Sequence, residues 1–317
     1  MSALSLRGPV RVVVRTQRRS LWAGAALVAL GIAVVIGLRI WVATAHENCA
    51  DGDTTRCGDH LYLASYARTT AQTFLADGGR VLLGLSLLTG IFVAGPLIAR
   101  ELESGTFRFG WTQSITPARW LAARLAPLAL LAAAGTTVLV LVYRWGRSGV
   151  LGHSPSDLAW FGDTTYPGLG PVAVAYALFA VAVGALCAVL VRRALPAMAL
   201  TAVVVGTVMY GFGKRRYELW PTVRDLDLEL AERKGGFWAI DSGMLTSSGK
   251  ELHWQDCLSR GMPGRACMTA KGGVTNFFDY HPASHFWPLQ LTETAILLAL
   301  AAVATALAFR VLRRYHA

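Results

Sequence analysis

The residues best suited to chemistry lie near the carboxyl end of the chain, where Asp279, His281 and His285 fall close together. Two histidines four residues apart can bind one metal ion from the same face of a helix. Pro282 lies between them, however, and the surrounding sequence is typical of a loop. The pattern therefore favours a cluster of surface residues, with metal binding as the alternative, and we predict no metal site.

Other sequence patterns for catalysis are missing or incomplete. The nearest approach to a phosphate-binding P-loop runs from Gly243 to Glu251, but its first glycine is one residue too early and Glu251 stands where Ser or Thr is needed. The chain contains neither an H-E-x-x-H nor a G-x-S-x-G pattern. We therefore predict no catalytic residues and no cofactor bound by this chain.

The composition is that of a membrane protein. Hydrophobic residues make up 54% of the 317, charged residues only 15%, and the mean hydropathy is +0.44. Apolar runs long enough to cross a bilayer predict six helices, at Leu21–Ala45, Val81–Ala99, Trp120–Tyr143, Pro171–Val191, Ala194–Phe212 and Trp287–Phe309. The net charge of +11 comes from arginine clusters beside these runs. No basic stripe lies along a soluble face, so we do not expect nucleic-acid binding.

The arginines also predict the orientation. With the amino terminus inside, the inner segments carry fourteen arginines and the two short outer loops carry five. This imbalance places both termini in the cytoplasm. Residues 1–20 show Arg11, Arg15, Arg18 and Arg19 on one helical face. That spacing suggests an amphipathic helix in the membrane interface, although a charged anchor in coil would orient the first span equally well.

Apart from Arg124, which is counted with the inner arginines, two charged residues fall inside predicted spans. Arg39 lies near the outer end of the first span, and Glu293 lies near the outer end of the sixth. Charged residues within the membrane are candidates for function, and these two are at a depth where they could pair. The simpler alternative, which we favour, is that each side chain reaches to the interface by itself.

Four of the five cysteines fall on the predicted outer side. Cys49 and Cys57 lie in the first outer loop, and Cys257 and Cys267 lie in the long segment 213–286. An even number on an oxidising side suggests disulfides. We expect the local pairs Cys49–Cys57 and Cys257–Cys267, with pairing between the loops or free thiols as alternatives. In the long segment, leucine and valine spacing predicts an amphipathic helix over Tyr217–Lys234 and a small cap.

The most informative stretch is the inner loop between the second and third spans, RELESGTFRFGWTQSITPARWLAARL, residues 100–125. Gly105 is a plausible end for the second span. Thr116 can cap the third span, with Pro117 at its first helical position. Between them, Phe109, Trp111 and Ile115 stand among polar residues. This composition suits a short helix that inserts into a groove of a partner, or one that rests on lipid.

The same loop resembles the first cytoplasmic loop of ABC transporter permeases of the type-2 exporter class. The family's Glu-x-Gly-Thr element matches Glu103–Thr106, and its proline-containing turn matches Thr116–Leu121. The Trp-Thr-Gln-Ser variant at 111–114 resembles an actinobacterial branch. Arg124 stands where the family often has lysine, which leaves the gating details open.

The resemblance implies an ATP-driven exporter in the bacterial inner membrane, in which this chain is a permease and not an enzyme. A separate ABC ATP-binding subunit would hold ATP and magnesium, and two permeases, identical or homologous, would form the pathway within membrane lipid. The residues implied to contact the ATPase are Glu101, Glu103, Gly105, Thr106, Phe109, Trp111, Thr112, Gln113, Ser114, Ile115, Pro117 and Arg119.

The expected fold class is therefore an all-α polytopic membrane protein with an amphipathic amino-terminal helix, a cytoplasmic coupling helix and an extracellular cap between spans five and six. The expected division is an amphipathic segment at 1–20, spans one to five at 21–212 with the coupling loop at 100–120, an extracellular segment at 213–286, and the sixth span with its tail at 287–317. The competing hypotheses are a membrane-anchored enzyme and a sensory or assembly protein, each acting through the extracellular segment.

Overall fold

The structure, a computed structural model, describes residues 18–45, 62–105, 116–151, 158–226, 236–257 and 264–314. These residues divide into two compact units. The first contains the described residues up to Gly213 and from Glu293 onward, and the second is Lys214–Thr292. The predicted amphipathic segment at the amino terminus lies almost wholly outside the described residues.

Helices dominate the described residues. The α-helices are Arg18–Thr44, Tyr62–Ala76, Gly78–Leu88, Gly95–Glu103, Pro117–Ser148, Val172–Val191, Ala194–Arg215, Gly264–Ala270 and Phe286–Arg314. One turn of π-helix, Thr89–Ala94, joins two of them. Short 3-10 turns occur at Tyr166–Leu169, Arg216–Leu219, Trp254–Cys257 and Ala283–His285.

Within the described ranges, six helical segments are long and apolar enough to cross a membrane, which confirms the expected number of spans. They are Trp22–Thr44, Tyr66–Glu103, Pro117–Ser148, Val172–Val191, Ala194–Leu219 and Ala283–Arg314, and we refer to them below as the first to sixth spans. The second is the longest because helical structure extends well before the apolar run that predicted it.

The fourth span is the centre of the first unit. Fifteen of its 20 residues are buried, and most of these are alanine and valine. Small side chains let neighbouring backbones approach closely, which is how helices pack where lipid removes the hydrophobic drive between them. A Cβ built on Gly90 of the second span would lie 2.7 Å from the backbone oxygen of Ala180, and one on Gly184 would lie 2.6 Å from the oxygen of Gly90.

The π-turn Thr89–Ala94 interrupts the second span immediately before Pro96. Proline has no N–H to donate, and its ring would clash with the carbonyl four residues earlier, here that of Phe92. A wider turn relieves this clash, and such turns are a recognised cause of helix bending. The second span is therefore built from segments that meet at a proline-induced irregularity.

The second unit contains a four-stranded antiparallel sheet, which corrects the expectation of an all-α protein. The strands are β1 (Val223–Asp225), β2 (Trp238–Thr246), β3 (Glu251–His253) and β4 (Gly273–His281), in the order β1-β4-β2-β3. The helix predicted over Tyr217–Lys234 is wrong for its described part, since residues 223–225 pair with β4. Pro221 explains the error, because the residue before a proline favours extended backbone and Trp220 is extended.

A small apolar core stabilises one side of this sheet. Met244, Leu252 and Met268 are buried together with Cys257 and Cys267. The two cysteines form a disulfide, which confirms the local pairing expected from their spacing. Cys49 and Cys57 lie outside the described residues, so their pairing stays a prediction. Cys187 is a buried free thiol in the fourth span.

The packing of the second span against the fourth makes a testable prediction. We expect Gly90→Ala to lower the thermal midpoint of the detergent-solubilised protein, because the new methyl group would meet the Ala180 backbone and overpacking typically costs about 1–3 kcal/mol. The matched control is Gly84→Ala in the same span, where a Cβ meets no heavy atom of the described residues within 4 Å. Equal midpoints for the two variants would contradict the close approach of these spans.

Candidate functional site

The structure shows how the loop between the second and third spans is held at both ends. Gly105 adopts a positive φ of 71°, a conformation that glycine adopts without strain. Thr116 has extended backbone and its hydroxyl accepts a hydrogen bond from the N–H of Arg119, with Pro117 in the first turn. The expected end and restart of the helices are therefore confirmed. Residues 106–115, with most of the predicted contact residues, lie outside the described ranges.

An ion pair joins the two spans that flank the loop. The Arg124 Nε donates to the Glu101 Oε1 at 3.0 Å, and the second guanidinium nitrogen, Nη2, pairs with Oε2. The pair is partly buried, with the Arg124 side chain 18% exposed and that of Glu101 31% exposed. Two parallel bonds between a guanidinium and a carboxylate fix distance and orientation together. The end of the second span is thus fastened to the start of the third.

Trp120 supports this ion pair from one turn earlier in the third span. The Arg124 guanidinium carbon lies 4.3 Å from the centre of the indole ring, and Nη1 donates to the Trp120 carbonyl at 3.3 Å. Trp120 is itself buried. A cation held over an indole gains electrostatic stabilisation beyond its ion pair, so the ring and Glu101 together restrict the arginine to one position.

A second acidic residue connects the loop to a different helix. The Glu103 carboxylate accepts a hydrogen bond of 3.1 Å from the backbone N–H of Ala194, which is the first residue of the fifth span. The first N–H groups of a helix have no partner within it, and a carboxylate there also interacts favourably with the helix dipole. Glu103 therefore caps a helix that is 91 residues away in the sequence.

These contacts form one structure, which we call the anchor cluster: Glu101, Glu103, Trp120, Arg124 and Ala194. It joins three spans at the end of the bundle from which the loop departs. Sequence reasoning singled out Glu101 and Glu103 but missed the partners. The i, i+4 spacing of Trp120 and Arg124 was an available signal for the stacking. No sequence pattern pointed to the backbone N–H of Ala194.

Comparison with known proteins gives the family. The family model described as "ABC-2 membrane transporter related" matches residues 22–215, more than half of the chain and the whole of the anchor cluster. The chain belongs to this family. Together with the six apolar helices, this makes it a multi-pass membrane protein related to the membrane components of ABC-2 transporters. Searches of curated proteins and of solved structures gave no significant match.

Arg39 and Glu293 are charged residues predicted within spans of this ABC-2 family protein. In the structure each of them contacts a different residue. Arg39 donates to the Trp145 carbonyl, and its guanidinium carbon lies 4.0 Å from the centre of the Trp145 ring. Glu293 is fully buried and accepts a hydrogen bond of 2.8 Å from the Tyr176 hydroxyl in the fourth span. Direct pairing of Arg39 with Glu293, which we did not favour from the sequence, stays an open alternative.

The second unit has its own charged cluster, which sequence reasoning did not identify. The Arg224 guanidinium pairs with the carboxylates of Asp279 and Glu251 and lies 4.5 Å from the centre of the Phe277 ring. The hydrogen bonds to Asp279, and then those to Glu251, raise the pKa of Arg224 above its ordinary value. The Asp279 carboxylate is therefore hydrogen-bonded to Arg224, and Asp279 itself belongs to strand β4.

The histidines differ from the expected surface cluster. His281 is fully buried at the end of β4, and its Nδ1 lies 3.0 Å from the Nδ1 of His285. The part of the chain that the structure describes contains no group of three or more His, Cys, Asp or Glu side chains arranged to hold a metal ion.

The Glu101–Arg124 pair predicts a measurable coupling. In a double-mutant cycle with Glu101→Gln and Arg124→Gln, we expect each single change to destabilise the protein and the double change to cost less than their sum. Hydrogen bonds to charged groups contribute about 1.5–3 kcal/mol, so the non-additivity should appear in thermal unfolding.

The control cycle uses Asp77→Asn and Arg80→Gln. That ion pair also has a short contact, 3.1 Å, but its side chains are 56% and 67% exposed, and exposed pairs contribute little. If the two cycles gave the same coupling, the Glu101–Arg124 pair would not be a structural fastening.

Proposed function

We propose that this chain is the permease subunit of an ATP-driven exporter in a bacterial cytoplasmic membrane, with both termini in the cytoplasm. The observation that carries the proposal is the anchor cluster, because it ties the two ends of one loop to three membrane spans. Helix ends that are fixed to one another in this way can pass a displacement at the loop to the membrane spans. Family membership supports the same function.

The proposed assembly contains two permeases and two ATPase subunits. Two copies of this chain, or one copy and a homologue, would form the pathway within membrane lipid. Each would rest on a separate ABC ATP-binding subunit, which would hold ATP and magnesium. The sequence supports this division of labour, since it has no complete P-loop. In this proposal the chain is not an enzyme.

The ATPase would contact the loop between the second and third spans. The apolar side chains Phe109, Trp111 and Ile115 suit a groove on a partner. ATP binding can shift the permease only through a difference in affinity for two permease states. The contact with the loop is the place where we expect that difference to arise.

The anchor cluster would divide the transmitted movement between two routes. Glu101 and Arg124 would make the ends of the second and third spans move as one body. Glu103 would carry the same movement to the amino-terminal end of the fifth span through the N–H of Ala194. The π-turn Thr89–Ala94 would let the segments of the second span on its two sides tilt relative to one another.

The cargo is proposed only as a class. Many large apolar side chains are exposed on the first unit, for example Leu195, Leu130 and Val203, and the apolar runs within the spans contain few charged residues. These features favour a lipophilic or amphipathic substrate. The Trp-Thr-Gln-Ser stretch at 111–114 supports placement in an actinobacterial-like branch of the family.

Trp111→Asp tests contact with the ATPase. We expect a tagged, detergent-solubilised wild-type permease to co-purify with an ABC ATPase, and we expect the variant to lose it, because a carboxylate would have to be buried in an apolar groove. Trp111→Phe is the matched control and should retain the complex. Retention of the ATPase by Trp111→Asp, or purification of the wild type without any ATPase, would contradict the proposal.

Glu103→Ala tests transmission separately from assembly. We expect this variant to retain the ATPase subunit. In the wild-type reconstituted complex the ATPase activity should differ from that of the ATPase alone, and we expect the variant to lose most of this difference. Glu103→Gln keeps an acceptor for the Ala194 N–H and should preserve most of that difference. Equal activity of the Ala variant and wild type would show that the link to the fifth span is not used.

A further inference from the structure

The pair of imidazoles in the second unit, His281 buried and His285 half-buried, has no role in the proposed function. The His281 side chain is fully buried, and its Nε2 lies 2.9 Å from the backbone oxygen of Tyr217. A carbonyl oxygen can only accept, so Nε2 must carry a hydrogen and donate it. In the neutral ring this leaves a lone pair on Nδ1, and that lone pair faces His285.

The two Nδ1 atoms are close enough to hold either one proton or one metal ion between them. They lie 3.0 Å apart, which is a normal hydrogen-bond length if His285 donates. It is also the separation of two ligands on one metal ion. With bonds of about 2.0–2.1 Å between metal and nitrogen, the two ligand atoms lie about 2.9 Å apart at a right angle and about 3.4 Å apart at a tetrahedral angle.

The surroundings of His281 resemble those of a metal ligand. Histidines that bind metals usually donate their other ring N–H to a carbonyl or carboxylate, which fixes the tautomer and the ring orientation. The Tyr217 carbonyl has this position, and the Trp238 ring packs on His281 with the ring centres 5.5 Å apart. Burial favours the neutral form of the His281 ring, which is the form that binds a metal ion.

We propose that His281 and His285 form a two-histidine site for a divalent late transition metal ion. The ion takes the place of the hydrogen between the two Nδ1 atoms, and His285 changes tautomer so that its hydrogen lies on Nε2. Imidazole nitrogens favour copper, nickel and zinc among the divalent ions. The remaining coordination positions would be filled by water or by a ligand from outside the chain. Pro282 has extended backbone, so the two histidines converge across a turn and not along the face of a helix.

The alternative explanation is a plain hydrogen bond that only fastens the end of β4 to the turn at Ala283–His285. Both explanations predict that removing a histidine destabilises the unit, so stability cannot separate them. Binding of metal by the folded protein can separate them. It is also independent of the ATPase partner, so failure of the export proposal would leave this one standing.

The experiment uses the full-length chain without a histidine tag, purified in detergent and treated with a chelator. Cu2+ is the probe because it gives the tightest complexes of the series and shows nitrogen ligands directly by electron paramagnetic resonance. We expect a high-affinity copper ion with hyperfine splitting from two imidazole nitrogens. His285→Gln should weaken its binding at least tenfold and reduce the splitting to one nitrogen.

His253→Gln is the matched control in the same unit. His253 is also close to a polar partner, with its Nδ1 2.9 Å from the Asp241 carboxylate, but its ring faces no second imidazole among the described contacts. We expect this variant to bind copper as the wild type does. The Cys257–Cys267 disulfide, detected by non-reducing peptide mapping, reports that each variant has folded. Absence of a two-nitrogen copper signal, or an unchanged signal in folded His285→Gln, would overturn the proposal.

Discussion

Close backbone contact with the fourth span is the constraint on which the first unit depends. Apolar helices gain no hydrophobic stabilisation from leaving a lipid environment of equal polarity, so packing has to come from contact. The fourth span provides that contact with alanine, glycine and valine around almost its whole circumference. Gly90 and Gly184 bring the second span so near that a single methyl group would meet backbone atoms. A span that packs on the fourth span can therefore vary in sequence, provided that its backbone still comes this close to that of the fourth span.

The anchor cluster uses a different kind of interaction because it lies at the ends of the spans. There, polar groups are less costly and directional bonds become useful. The paired hydrogen bonds between Arg124 and Glu101 set an orientation that apolar packing alone would leave loose. Glu103 adds a link to a helix start whose N–H groups need an acceptor. The bundle is therefore stabilised by close packing in its interior, and by an ion pair and a carboxylate helix cap at the end where the loop departs.

Much of this architecture could be predicted from the sequence because the bilayer limits the possible solutions. Six apolar runs predicted six spans, and the Gly105 and Thr116-Pro117 signals predicted where two helices end and begin. The sheet of the second unit was not predicted because its signals are short and ambiguous. Leu219, Val223 and Leu226 have helical spacing, yet Pro221 makes the backbone extended and Val223 pairs with Tyr280 in the sheet. The Thr246–Lys250 turn has Gly249 at a positive φ of 80°, and its Ser-Ser-Gly sequence was an available turn signal.

The contacts that sequence reasoning missed share a physical cause. Most of them join groups that are far apart in the chain, and in several cases one partner is a backbone atom, as with Ala194 and Tyr217. Nearly every residue has the same backbone N–H and carbonyl, so the sequence does not show which of them is a partner. A motif search can therefore find the carboxylate or the imidazole but not the backbone group that fixes its position. The histidines show the consequence. From the sequence, Pro282 predicted an exposed loop, but the same residue brings His285 back toward a buried His281. A proline that prevents a regular helix does not prevent convergence of the side chains on either side, and only the packing around them decides whether they meet.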